Sequence, residues 1–311
     1  MRRFFPPLIF FLLFLAFTAG CAGSSSDQKS GTLRVATTVG MIGDAVSQVG
    51  GDHVDVTNLM GPGVDPHLYK PSAGDISTLE NADVVFYGGL HLEGQMVEVF
   101  ESLSTRKKVV AVSSDIDRSR LRAVAGANDT FDPHIWFDVM LWTDTVRTVN
   151  RTLAEVDPNN AGDYQQAADD YISQLESLHT WVQQQIALIP VEQRVLITSH
   201  DAFGYFGDAY DMEVVALQGI STSSEYSLQD IERIINIVVA RQLPAIFVES
   251  SVSQKSIEAV QEGSRARGHN VVIGGQLYSD AMGDPATAAG SYIGMVQANV
   301  NTISQALQKK L

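Results

Sequence analysis

Two α/β lobes, each a parallel four-stranded sheet flanked by helices, are expected from the pattern of this 311-residue chain. One long helix should join them. Three observations carry that expectation. Short β-branched runs alternate with helical stretches, once through in each half of the chain. A long proline-free segment separates the halves. Roughly 280 residues follow an N-terminal leader, more than one hydrophobic core usually serves.

Residues 1–20 read as a signal peptide. Arg2 and Arg3 form a positive start, and Phe4 to Ala19 is apolar apart from Thr18. A membrane-spanning helix needs about 20 apolar residues, so this run suits a cleaved leader better. Cys21, the only cysteine, stands where a bacterial lipoprotein is cut and acylated, although such sites favour Leu where Thr18 stands. Residues 21–31 are then a lipid-anchored tether, polar from Ser24 to Ser30. A lone cysteine forms no disulfide within the chain, so the leader fixes an extracytoplasmic location.

The N-terminal lobe is expected over residues 32–158. Its strands should lie at Leu33–Val39, His53–Met60, Ala82–Gly88 and Lys108–Val112, with helices at Ser72–Asn81 and Glu93–Leu103. A connecting helix over residues 159–189 follows. Asn160 to Leu188 holds no proline, and Tyr164, Ala168, Tyr171, Leu175, Leu178, Trp181 and Ile186 recur at helical spacing. Asp157-Pro158 and Pro190 punctuate its ends. The C-terminal lobe, residues 190–311, should carry strands at Arg194–Ser199, Glu213–Leu217, Ala245–Glu249 and Asn270–Ile273. Its helices should span Leu228–Gln242, Gln254–Arg267 and Ala286–Lys310.

The net charge is −15, and removing Arg2 and Arg3 with the leader makes it more negative by two. So acidic a chain is a poor nucleic-acid ligand and is repelled by anionic lipid; a covalent lipid must hold it at a membrane. The chain holds no H-E-x-x-H, no G-x-S-x-G and no phosphate loop. Any work it supports must draw energy from a partner.

One tripeptide occurs twice. Asp65-Pro66-His67 lies in GPGVDPHLYKPSAGD and Asp132-Pro133-His134 in TFDPHIWFD. His200 closes a later strand, and Asp280 follows the last one in GGQLYSDAMG. In open α/β sheets ligands bind beyond the carboxyl ends of strands, where all four residues fall. With two from each lobe they would meet in the inter-lobe cleft as a four-ligand metal site. Imidazole suits Zn²⁺, and a carboxylate brings Mn²⁺ and Fe²⁺ into range. His53, His179 and His269 are expected to be solvated, and His91 to support the site at most. Glu249 at a strand end could orient His200 or Asp280, and Asp138 could orient His134; a carboxylate capping the following helix is an equal reading for Glu249.

From about Thr32 onward the chain resembles the metal-binding solute-binding lipoproteins of bacterial manganese/zinc ABC importers. GPGVDPHLYKPSAGD, GLHLEG, DPHIWFD, SHDAFGYFG, LQGISTSSEYS, FVESSVS and GGQLYSDAMG carry the resemblance. It implies two α/β lobes on one long helix, with His67, His134, His200 and Asp280 holding the metal between them. Some manganese members have Glu where His200 stands. Zinc members often carry a His-rich loop where Ser113 to Thr130 here has no histidine. The resemblance therefore implies capture of Mn²⁺, with Zn²⁺ close behind, and delivery by a monomer to an ABC permease and its ATPase. Four protein ligands with no position kept for water suit hand-over better than catalysis. A metallohydrolase on the same site, or a surface adhesion lipoprotein, would be the competing readings.

Overall fold

The computed structural model describes Met1 and residues 31–124, 126–127 and 129–308. Cys21, the leader and most of the tether lie outside the described residues. The first half contains β1 (Leu33–Thr37), α1 (Gly40–Gly50), β2 (Val54–Asn58), α2 (Ala73–Asn81), β3 (Val84–Tyr87), α3 (Val97–Ser104), β4 (Lys108–Ala111) and α4 (Val139–Val156). The strands pair in parallel in the order β2-β1-β3-β4. Val84, Val85 and Phe86 of β3 are all buried, as a strand covered on both faces requires.

Helix α5 (Ala161–Ala187) follows and runs 27 residues, on the order of 40 Å. Tyr164, Ala168, Tyr171, Leu175, Leu178, Val182 and Ile186 form its buried face, spaced three or four apart. That face packs along α1 and α4. The Tyr171 hydroxyl donates to Asp44 of α1 at 2.8 Å, and burial pushes the Asp44 carboxyl up.

The second half contains β5 (Val195–His200), α6 (Gly204–Tyr210), β6 (Glu213–Gln218), α7 (Leu228–Ala240), β7 (Ala245–Glu249), α8 (Lys255–Ala266), β8 (Val272–Leu277) and α9 (Tyr292–Leu307). Its ladders join β5 to β6 and β7 to β8, both parallel, and β5 lies beside β7. At the carboxyl end of β5 the Ser199 and His200 N–H groups donate to the Glu249 side chain. The second half therefore holds two two-stranded ladders, where one four-stranded sheet was expected, and the Glu249 carboxylate links them at the end where ligands are expected.

Thr32–Leu311 forms one compact unit. One core runs from the first sheet through α5 to α9 and one face of β7; a second lies where α7 and α8 cover the other face of the second half's strands. Helix α5 is thus embedded in a shared core. Ser72 and Ser227 cap α2 and α7 with reciprocal capping boxes through Asp75 and Asp230. Among the described residues no helix is long and apolar enough to cross a membrane.

Candidate metal centre

The repeated Asp-Pro-His folds the same way twice. Asp65 Oδ1 accepts the backbone N–H of His67 at 2.9 Å, and Asp132 Oδ1 that of His134 at 3.0 Å. Each aspartate therefore closes a tight turn two residues long. The first turn follows β2 after Gly63, whose φ of +73° favours glycine. His200 is the last residue of β5, in register with Gln218 of β6. Asp280 follows β8 by three residues.

These four side chains converge. Their ligand atoms all lie within 4.8 Å of one another. His67 Nε2 stands 3.3 Å from His134 Nε2, and the two Asp280 oxygens stand 3.3 Å from the Nε2 atoms of His134 and His200. Ligands about 2.1 Å from a tetrahedral ion sit about 3.4 Å apart, so these spacings match one shared ion. His134, His200 and Asp280 are fully buried and His67 is 5% exposed. His200 Nε2 and Asp280 Oδ1 make no hydrogen bond. Each meets only another candidate ligand at 3.3 Å, and a bound cation would give both a full partner.

Carboxylates behind the site orient two of the imidazoles. His134 Nδ1 pairs with Asp132 Oδ1 at 2.7 Å, and His200 Nδ1 with Glu249 Oε2 at 2.5 Å. Such contacts fix the tautomer that would present Nε2 to a metal ion. Asp138, expected to orient His134, instead caps α4 by accepting the N–H groups of Met140 and Leu141. It directly precedes the helix, and a helix N-terminus offers unpaired donors that a carboxylate satisfies. Asp132 takes the role by His134. The repeated tripeptide itself was the available signal. Asp132 is in turn approached by Arg122 at 3.6 Å, and its backbone oxygen accepts the Tyr205 hydroxyl. Neither residue carries a local motif that would have singled it out.

The charges follow from this setting. Burial disfavours a charged imidazole, but Asp132 and Asp280 outweigh it at His134 and raise its pKa to about 9. At His200, burial is likewise outweighed by Asp280 and Glu249, which raise the pKa well above 6.5. For His67 burial prevails, and its pKa falls to about 4. Burial opposes ionisation of Asp280, yet His200 and His134 hold its carboxyl well below the usual range.

The other histidines lie elsewhere. His53 pairs with Asp163 at 3.0 Å and His179 with the Tyr210 hydroxyl at 3.1 Å. His269, expected to be solvated, is buried and its Nε2 meets the Leu243 carbonyl at 2.8 Å; a side chain after a surface glycine can still fold inward to a strand end. His91 is exposed in a left-handed turn with φ of +65°.

A buried His₃Asp set between parallel-sheet ends is the donor set that marks the class of proteins binding a single transition-metal ion. Comparisons agree with that class. The family model "Zinc-uptake complex component A periplasmic" matches residues 35–306, and the chain belongs to this family. It is 47% identical over 302 residues to the manganese-binding lipoprotein MntA of Bacillus subtilis, covering 96% of this chain and 97% of that protein. The solved periplasmic zinc-binding protein TroA of Treponema pallidum superposes with a TM-score of 0.87 at 47% identity, covering 89% of this chain and 99% of that one. The solved Fe(III)-bound YtgA of Chlamydia trachomatis gives a TM-score of 0.80 at 27% identity, with 89% and 98% covered.

Proposed function

We propose that this protein captures a divalent transition-metal ion outside the cytoplasmic membrane, through His67, His134, His200 and Asp280, and delivers it to an ABC permease and its ATPase. The convergence of four buried ligand atoms, two of them without hydrogen bonds, carries this reading. Manganese is favoured as the physiological cargo, with zinc close behind and Fe²⁺ in range. The relatives named above are described as manganese-binding, zinc-binding and Fe(III)-bound. A His₃Asp donor set is chemically compatible with all three metals.

Capture is stoichiometric and not catalytic in this reading, because four protein donors reserve no position for an attacking water. Glu249 and Asp132 orient His200 and His134. Residues 32–158 and 190–311 act as two lobes held by the stiff helix α5, and the chain works as a monomer. An acylated Cys21 anchors it; mass spectrometry of the mature N-terminus should find that lipid.

Native mass spectrometry of protein made in medium balanced in manganese, zinc and iron, with elemental analysis, tests the central claim. One ion per chain is expected, lost in both His67→Ala and Asp280→Ala. An empty wild type, or full occupancy in either variant, would overturn it.

A further inference from the structure

The site is fastened unequally on its two sides. On the His134 side, several buried or charged links join the first half to the second. Tyr205 of α6 donates to the Asp132 carbonyl at 2.9 Å, and Arg122 donates to the Gly204 carbonyl at 3.1 Å and pairs with Asp208. The Trp136 indole N–H donates to the Ser279 carbonyl at 3.0 Å, and the Tyr292 hydroxyl to the Trp136 carbonyl at 2.7 Å. On the His67 side the fastening is slighter. The Thr222 hydroxyl donates to Asp65 Oδ2 at 2.6 Å, while Asp65 Oδ1 holds the His67 N–H.

That slight fastening is continuous with the opposite ligand. Gln218, in register with His200 at the end of β6, uses its amide to hold the carbonyls of Thr222 and Ser224. A chain of contacts therefore runs from His200 through Gln218, Thr222 and Asp65 to His67. Of the four candidate ligands, His67 alone has measurable exposure. The same Asp-Pro-His turn is used differently on the two sides. Asp132 turns inward to its own imidazole, whereas Asp65 reaches across to the other half.

We propose that Thr222 is a positioning residue that latches the His67 turn closed and sets the rate at which bound metal leaves. This rests on the metal-capture reading above. An ion cannot depart until His67 withdraws, and His67 cannot withdraw with its turn while Asp65 is tied to Thr222. Hydrogen bonds to a charged group are strong enough that losing one should accelerate release by roughly tenfold or more. A permease that displaces the Ser221–Tyr226 loop would achieve the same effect.

The test is metal release from the full chain, loaded with Zn²⁺ or Mn²⁺ and mixed with rising chelator until the rate no longer depends on chelator. Trp136, whose ring centroid lies 5.2 Å from that of His134, supplies the fluorescence signal. Thr222→Val should release metal about tenfold faster or more, and Thr222→Ser should restore a rate within about threefold of wild type. Gln218→Leu should also speed release, and combining it with Thr222→Val should add little. The metal-free melting temperatures should differ by no more than the few degrees that one lost hydrogen bond accounts for, which separates a loosened latch from a damaged fold. A Thr222→Val rate within threefold of wild type, or a Ser variant as fast as Val, overturns the latch while leaving metal capture standing. A wild type that binds neither metal overturns both.

Discussion

Metal binding at neutral pH should displace about two protons from this protein. In the metal-free form His134, with a pKa raised to about 9, and His200, raised well above 6.5, are both protonated at pH 7. His67, lowered to about 4, is already neutral, and Asp280 is already ionised. A metal takes only neutral imidazole, so each of the two charged rings must lose a proton on binding. Affinity should therefore rise with pH from about 6.5, by up to about a hundredfold per unit while both rings are charged. Calorimetry in buffers of different ionisation enthalpy reads the number directly as a slope. A slope near two is expected at pH 7. Glu249→Gln removes one of the anions that hold the His200 proton, and should move the slope towards one. A wild-type slope near zero would refute the reasoning.

The sign carries over to stability. A raised histidine pKa stabilises the metal-free fold below about pH 6.5, and that contribution fades as pH climbs through the folded value near 9. The lowered value of His67 acts oppositely, costing stability as pH falls from about 6.5 towards 4. Meanwhile metal affinity grows with pH. The melting-temperature gap between loaded and EDTA-stripped protein should accordingly widen between pH 6 and 8.

Three further outcomes are expected. Asp132→Asn should weaken metal binding about 10–100-fold in chelator competition, whereas Asp138→Ala should cost about 1 kcal/mol in urea unfolding and leave affinity alone. Equal effects on affinity would remove the distinction drawn between the two aspartates. Leu175→Ala, at a fully buried position on α5, should cost about 2–5 kcal/mol by the same measurement. His200→Glu replaces nitrogen with oxygen and should narrow the Zn²⁺/Mn²⁺ affinity ratio in competition titrations, because Zn²⁺ outranks Mn²⁺ at nitrogen-rich sites.

Much of this architecture was legible in the chain because its signals are local. Helix α5 declares itself through an uninterrupted apolar stripe bounded by Pro158 and Pro190, and every expected strand overlaps an observed one. Helix α4 was not legible in the same way. Its Val139–Val156 run is rich in threonine and valine, which favour strands; Thr148 and Thr152 are accommodated because their hydroxyls bond carbonyls four residues back. The link between β5–β6 and β7–β8 at the ligand end is equally non-local: a single side chain, Glu249, takes two backbone N–H groups across 49 and 50 residues of sequence.

The candidate ligands stood out because histidine at strand ends is chemically specific, but their supports did not. Both copies of Asp-Pro-His look alike as text, and both make the same local turn. What separates them is the environment brought up by the other half of the chain. Arg122 and Tyr205 flank Asp132 beside its own imidazole, while Thr222 draws Asp65 outward. The setting of each copy therefore depends on partners that no spacing rule relates to the motif. In the proposed reading, two identical tripeptides serve one ion in unlike ways, the second backed by its own buried carboxylate and the first tied by one exchangeable hydroxyl. A carrier that must bind firmly and still let go has use for both.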